Sequence, residues 1–408
     1  MKCRQCNTEL IIKFLDLGRS PPSNAFLSLE SIKASEKWYP LRVLVCDSCW
    51  LVQTEDFVDP TDMFIPEYAY FSSISSCFLK HAKNYVNQMM ARFSLHQKSL
   101  VVEVAANDGY LLQYVRGKGI PCYGIEPTQS AANIAVSRGI KIIGDFFGKK
   151  LAKKLANNGK KVDLAVANNV LAHVPDINDF VSGFTQILKP KGVATFENPH
   201  LMRMVEEKQF DTVYHEHFSY LSLTAVNKLF ERNGLMIFDV EELPVHGGSL
   251  RYYAQRLETG TQPISENVGK IFQKERNAGL RRPDFYQSFQ NQAMSIKNDF
   301  LWFIHDQKKN GKLVAGYGAA AKGNTLLNFC GVKEDLVNFI VDKNPHKQGM
   351  YCPGSKIPIV EEKVILEKKP DFIVIFPWNI KEEIKNQLAY VREWGCKFVV
   401  AIPRLHVF

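Results

Sequence analysis

The sequence predicts an α/β fold in three parts: a short cysteine-bearing module, a larger domain built on a doubly wound parallel sheet, and a smaller α/β domain. Three observations predict it. Two Cys-x-x-Cys pairs, Cys3/Cys6 and Cys46/Cys49, mark the first 50 residues. From Ser99 onward, short apolar runs alternate with helical patterns, and a second alternation of the same kind begins at Gly311. Strands that alternate with helices pair in parallel, because each crossover needs a helix to return the chain.

The bulk properties fit such a fold and exclude others. The 408 residues are 46% apolar and 23% charged, the balance of a folded globular chain. No apolar run reaches the roughly 18 residues a membrane span requires. The opening Met1-Lys2-Cys3-Arg4 lacks a signal-peptide core, so a cytoplasmic location and no membrane partner are expected. The formal charge of +9 comes from scattered Lys and Arg, many in Lys-Lys pairs. No dense basic block with interleaved aromatics is present, so no nucleic-acid partner is expected. The excess suits a solvated surface or a small anionic substrate. Nine cysteines, an odd count, argue against a disulfide scaffold. Cys77, Cys122, Cys330, Cys352 and Cys396 read as isolated buried thiols.

The first module, residues 1–66, carries its two hooks 39 residues apart, so the chain between them must fold back. Four soft thiolates suit tetrahedral zinc, with an iron–sulfur cluster as the lesser alternative. Cys3, Cys6, Cys46 and Cys49 would fill all four positions and leave none open, which makes the metal structural. A helical stretch over 68–91 would join this module to the next.

The second domain is expected over 67–260. Its strands read Leu100-Val101-Val102-Glu103-Val104, Pro121-Cys122-Tyr123-Gly124-Ile125-Glu126, Ile140-Lys141-Ile142-Ile143, Val162-Asp163-Leu164-Ala165-Val166-Ala167 and Val193-Ala194-Thr195-Phe196-Glu197. Parallel sheets bind ligands at the carboxyl ends of their strands. There the first strand leads into Glu103-Val104-Ala105-Ala106-Asn107-Asp108-Gly109, with one glycine and two short polar residues. A dinucleotide loop would carry more glycine to admit a pyrophosphate. This loop suits a cofactor without phosphates. Glu126 ends the second strand, placed for ribose hydroxyls. Asp145 and Phe146 follow the third, placed for adenine. Asn168 and Asn169 end the fourth, near the reacting end. This order of features resembles the class I S-adenosylmethionine-dependent methyltransferases, which are Rossmann-like.

The third domain is expected over 261–408, opening with long helices over 266–309. Gly316-Tyr317-Gly318 lies between a strand and a helix that begins with Lys322, Gly323 and Asn324. Backbone N–H groups at such a helix start cradle phosphate, and a lysine adds charge. The loop alone also allows a dinucleotide site, with Asp342 ending the next strand, or a plain structural turn.

The reaction centre is sought in Tyr214-His215-Glu216-His217-Phe218-Ser219-Tyr220. Two histidines, a carboxylate and two phenols lie within seven residues. Such a cluster is costly to bury without a use. The spacing does not match a helical zinc motif, so proton transfer is favoured over metal, with a polar surface loop as the plain alternative.

With these motifs in order, the chain resembles the sugar 3-C-methyltransferases of branched deoxysugar biosynthesis. The resemblance runs through both hooks, the 103–109 loop, Leu171-Ala172-His173-Val174-Pro175-Asp176, Glu197-Asn198-Pro199-His200, the 214–220 cluster and the segment from Gly316 to Asn328. It departs at Ala105-Ala106, where the family usually has Gly-Ser. It implies S-adenosylmethionine as donor, structural zinc, and a 4-keto-6-deoxy sugar on a nucleoside diphosphate carrier, thymidine above all. It also implies methylation at C3 through an enolate, with His217 as base beside Tyr214 and Glu216. His173 and Tyr68 would donate to the enolate oxygen or position the sugar. Asn198, His200, Arg251, Tyr317, Lys322 and Asn324 would meet the sugar nucleotide. An O- or N-methyltransferase and a zinc-bearing binding protein with a relict pocket remain as alternatives. The oligomeric state stays open, with a monomer as the working expectation.

Overall fold

The computed structural model describes residues 1–55 and 71–408. Tyr68 lies outside the described residues.

The N-terminal module contains β1 (Ile12–Ser20), β2 (Tyr39–Val45) and β3 (Val52–Thr54). The two hooks fold alike. Asn7 N–H donates to Cys3 C=O and Trp50 N–H to Cys46 C=O, each at 2.9 Å. Asn7 and Trp50 then turn left-handed, with φ of 63° and 65°. Each knuckle thereby aims two sulfurs at one point.

The second domain contains β4 (Val101–Val104), β5 (Cys122–Ile125), β6 (Ile142–Ile143), β7 (Val162–Asn168) and β8 (Leu188–Pro199). Next come β9 (Ser219–Tyr220), β10 (Leu235–Leu243) and β11 (Ser249–Arg256). The sheet order is β10-β11-β8-β7-β4-β5-β6. All pairs from β6 to β8 are parallel, and β11 runs antiparallel to both its neighbours. The strands enclosed in the sheet are buried on both faces, as the unbroken run Val101–Val104 requires. Helix Ile177–Ile187 shows the matching pattern, burying Ile177, Phe180, Val181, Phe184 and Ile187 at helical spacing. Its start is capped by Asp176, which accepts from Asp179 N–H at 3.0 Å.

The C-terminal domain contains β12 (Val314–Tyr317), β13 (Ile340–Val341), β14 (Ile359–Val360), β15 (Phe372–Ile375), β16 (Lys397–Val400) and β17 (His406–Val407). Their order is β14-β13-β12-β15-β16-β17, with only β17 antiparallel. The apolar run Leu336-Val337-Asn338-Phe339-Ile340-Val341, which the sequence pattern predicts as the strand ending at Asp342, is extended only in its last two residues. Leu336 and Val337 bury their side chains from a turn closed onto Lys333 C=O, so burial there does not imply an extended backbone.

The parts interlock. The sheet of the first module has a fourth strand, β9, which belongs to the 214–220 segment of the second domain. Helix Glu266–Ala278 packs Val268 and Ile271 into the second domain's core. Its Glu275 caps helix Leu223–Arg232 by accepting from Leu223 and Thr224 N–H. Tyr286 and Phe289 pack on Phe14 of β1. No described helix is long and apolar enough to cross a membrane.

Candidate active site

The cofactor end forms at the carboxyl ends of β4, β5 and β7. The loop after β4 folds tightly, with positive φ at Ala105, Asn107 and Gly109. Glu126 clamps it by accepting from Asn107 N–H at 2.9 Å and from Thr128 N–H at 2.8 Å. The ribose role expected of Glu126 would therefore use the acceptor capacity those amides leave. Burial raises the Glu126 carboxyl above its ordinary range. Burial, with the nearby charges of Asp108 and Glu126, raises Glu103 further. Three carboxyl groups around one loop oppose a phosphate and favour a cationic ligand. Asp108 Oδ1 and Asn168 Oδ1 are buried without a partner, so two acceptors at the strand ends await a donor. These residues fit the ammonium and sulfonium of S-adenosylmethionine. Asp145 and Phe146 follow β6 at the surface, and Phe146 is 53% exposed, open to cover a ring.

Gly109 admits no side chain. With φ of 77°, a Cβ there would lie 2.3 Å from Ile140 Cδ1. Gly109→Ala is expected to cost about 1–3 kcal/mol of stability and to weaken donor binding. Denaturant melts and calorimetry check it; unchanged values in both would contradict this account of the loop.

The His-Glu-His cluster lies beyond β7 and is tied to the zinc module. Phe218 N–H donates to Ala172 C=O at 2.8 Å, and Thr54 N–H donates to Phe218 C=O at 3.1 Å. His217 Nδ1 lies 2.8 Å from Thr212 C=O, which can only accept, so Nδ1 carries the hydrogen. The lone pair sits on Nε2, where the Tyr214 hydroxyl donates at 2.8 Å. Burial, then the neighbouring His173, lowers the His217 pKa well below the usual histidine value. The ring is a neutral base. His173 crosses it edge-on, with ring centroids 4.7 Å apart.

Two expected roles change here. His173 Nδ1 donates to Glu216 C=O at 2.7 Å, and burial lowers its pKa to about 4. Its Nε2 is therefore an acceptor, so His173 is no donor to an enolate oxygen. Glu216 is buried and accepts from both the backbone and the side-chain nitrogen of Asn24 at 3.1 Å. Its Oε1 therefore anchors the loop around Asn24, while Oε2 is buried without a partner and burial raises the pKa of the group. Neither partner is local in sequence.

Facing His217 is the start of helix Ala321–Cys330. Lys322 Nζ donates to Asn379 Oδ1 at 3.0 Å and lies 4.2 Å from the Trp378 ring centre. Trp378 Nε1 donates to Asp211 Oδ2 at 2.8 Å. Burial lowers the Lys322 pKa to about 8, against the pull of Asp211, and raises Asp211 to about 6. The charge of Lys322 is felt at both His217 and His246. Asp342 accepts from Ala319 and Asn344 N–H, each at 2.8 Å, so it braces the glycine loop.

Residues 3–64 match the family described as "Putative zinc binding domain", 78–240 "Methyltransferase domain" and 244–403 "C-methyltransferase C-terminal domain". The C-methyltransferase NovU of Streptomyces niveus is 31% identical over 406 residues, spanning 100% of this chain and 96% of that protein. The chain belongs to the C-methyltransferase family. It is an S-adenosylmethionine-dependent enzyme with a four-cysteine zinc module. A shorter match, 24% identical over 94 residues, joins 23% of this chain to 38% of a ubiquinone biosynthesis O-methyltransferase of Bartonella tribocorum. Among solved structures, magnesium protoporphyrin IX methyltransferase from Synechocystis PCC 6803, with bound SAH, aligns over 44% of this chain and 83% of its own. Its identity is 16% and its TM-score 0.35, too loose to transfer residues.

In this C-methyltransferase the four sulfurs of Cys3, Cys6, Cys46 and Cys49 lie within 4.8 Å of one another, the one such cluster among the described residues. Cys3–Cys49 and Cys6–Cys46 each measure 3.5 Å. A tetrahedron of zinc–sulfur bonds has edges of about 3.8 Å, so the cage fits zinc.

The remaining expected substrate residues divide. Arg251 is buried, with Nε 2.7 Å from Glu197 and Nη1 2.8 Å from Glu241. Its Nη2 also lies 2.7 Å from Glu197, so every nitrogen is engaged and the role is structural. His200 is equally buried, its Nε2 2.8 Å from Glu275. Tyr317 turns its hydroxyl to Gln387 and Glu362, within the far face of the C-terminal sheet. Asn324 donates to Ser23 C=O at 2.7 Å and so holds the same N-terminal loop as Glu216. Asn198 lines a small cleft with His217, Ala172 and Ser219, and its Oδ1 is buried without a partner. His200 Nδ1 and Asn324 Oδ1 are likewise buried without a partner, but only Asn198 shares the cleft with His217.

Proposed function

We propose that this enzyme methylates C3 of a 4-keto-6-deoxy sugar carried on a nucleoside diphosphate, thymidine diphosphate above all, in cytoplasmic branched-deoxysugar synthesis. The observation that carries the reading is His217: a neutral ring that lines the Asn198 cleft, with Nε2 unprotonated and within the electrostatic reach of Lys322. A sugar carbon is no nucleophile until an adjacent ketone acidifies its proton. His217 Nε2 takes the C3 proton, and the electron pair passes into the enolate, whose charge rests on the C4 oxygen. Substrate entry releases the Tyr214 hydroxyl from Nε2. Asp108, Glu126 and Asn168 would hold the methyl donor, which supplies an electrophilic methyl group when bound. Lys322 would meet the diphosphate. An O- or N-methyltransferase would need no such base next to a ketone.

Turnover of a panel of 4-keto-6-deoxy sugar nucleotides, read as the mass gain of one methyl group on carbon, tests the reading. Methylation at oxygen or nitrogen only, or none across the panel, would overturn it.

A pH profile follows from the same groups. The base works unprotonated, and its pKa is depressed, so kcat/KM should hold through pH 6.5 and fall only well below it. At the alkaline side Lys322 loses its charge near pH 8, so KM for the sugar nucleotide should rise there. A half-maximal acid limb at 6.5 would contradict the burial of His217.

A further inference from the structure

Four thiolates around one doubly charged ion leave the cage with negative charge in excess, and Cys3, Cys46 and Cys49 are buried. Buried anionic sulfurs need hydrogen-bond donors in place of water. The backbone supplies one of them: Cys49 N–H lies 3.4 Å from Cys46 Sγ. Cys3 has a donor of another kind. Gln53 Nε2 lies 3.2 Å from Cys3 Sγ, and Gln53 is fully buried. The far end of the amide fixes its orientation. Its Oε1 accepts from Arg4 N–H at 2.9 Å. A backbone N–H only donates, so that atom is the oxygen and the nitrogen faces the sulfur.

The hook does not supply this donor itself. Gln53 comes from β3, 50 positions further along the chain. An amide buried in a strand is costly unless both its ends are met, and here both are met by the first hook.

The same strand carries the segment of the base. Gln53 pairs through its main chain with Ser219 of β9, just beyond His217. Successive residues of a strand face opposite ways. Gln53 faces the sulfur, and Thr54 turns its hydroxyl to His217 C=O, donating at 3.2 Å. The C=O of Thr54 accepts from Arg4 Nη2 at 3.0 Å. Two adjacent residues thus join a metal ligand to His217 by direct hydrogen bonds. We propose that Gln53 is a positioning residue: its amide N–H stabilises the Cys3 thiolate and so ties the filling of the zinc cage to the place of His217. The part that concerns turnover rests on the keto-sugar reading above; the part that concerns the metal does not.

Gln53→Met tests it, since the thioether keeps the length of the side chain and removes the donor. Zinc should pass from Q53M to a chromogenic chelator about 10–100-fold faster than from wild type. In the cobalt-substituted variant the thiolate-to-metal charge-transfer absorption should move to longer wavelength, because a thiolate without its donor gives up an electron more readily. Turnover of Q53M should depend on free zinc: within about threefold of wild type at saturating zinc, and lost at a buffered zinc level that leaves wild type active. Release at the wild-type rate, an unmoved cobalt band, or a loss of turnover that saturating zinc does not restore would overturn the proposal. If Q53M does not fold, the wild type decides. With an NMR-active cadmium isotope in the cage, the Gln53 side-chain amide proton should show scalar coupling to the metal through sulfur, and absence of that coupling would overturn the proposal. A wild-type enzyme that holds zinc and methylates no keto sugar would overturn the keto-sugar reading, while the release and cobalt results would still support the role of Gln53 at the metal.

Discussion

His217→Ala is expected to bind S-adenosylmethionine and the sugar nucleotide normally and to lose about 10²–10⁴-fold in kcat. The loss should be deep because no neighbour can take over. His173 crosses the His217 ring but is fixed in its own place, with Nδ1 tied to Glu216 C=O. Glu216 points to Asn24. Tyr214 has a hydroxyl at Nε2, yet a phenol is a weak base at neutral pH. Binding should survive because the donor loop and Lys322 stand on other elements. Isothermal calorimetry for both ligands, beside single-turnover kinetics, separates the terms. A variant that turns over within tenfold of wild type would remove His217 from the base role.

Cys46→Ser should cost both metal and activity. The Cys46–Cys49 knuckle leads directly into β3, and β3 pairs with β9 through Val52–Tyr220 and Gln53–Ser219. Arg4, between the first two cysteines, donates to Pro175 C=O at 3.2 Å and lies over the Phe218 ring. Zinc therefore acts on the base through its backbone. Structural zinc contributes on the order of 10 kcal/mol to folding in zinc-finger peptides, and much of the module's order should go with it. A shift of the 214–220 segment by about 1 Å is enough to lower kcat about 100-fold. The variant, or wild type treated with chelator, should lose stoichiometric zinc, melt earlier and turn over slowly. Full activity in a zinc-free protein would show that the module does not position the site.

The features legible in the sequence are local ones. The hooks announced the cage because both sulfurs of each pair come from one turn. The loop over 103–109 announced its site because its polar residues and glycine stand together at a strand end. What stayed hidden depends on partners far along the chain. Arg251 and His200 look like candidate ligands as isolated residues, but Glu197 across the sheet and Glu241 engage every nitrogen of Arg251, and Glu275 on a distant helix takes Nε2 of His200. Glu216 shares a motif with His217 yet faces Asn24, 192 positions away. β9 is two residues long and could not be read as a strand before its pairing with β3.

In the proposed reaction this protein makes a sugar carbon nucleophilic by removing its proton. Incubation of the wild-type enzyme with a 4-keto-6-deoxy sugar nucleotide in D2O, with no methyl donor, tests that step alone. Deuterium should appear at C3, and the His217→Ala enzyme should leave it unexchanged. Retention of protium at C3 by a wild-type enzyme that binds the sugar nucleotide would contradict the account.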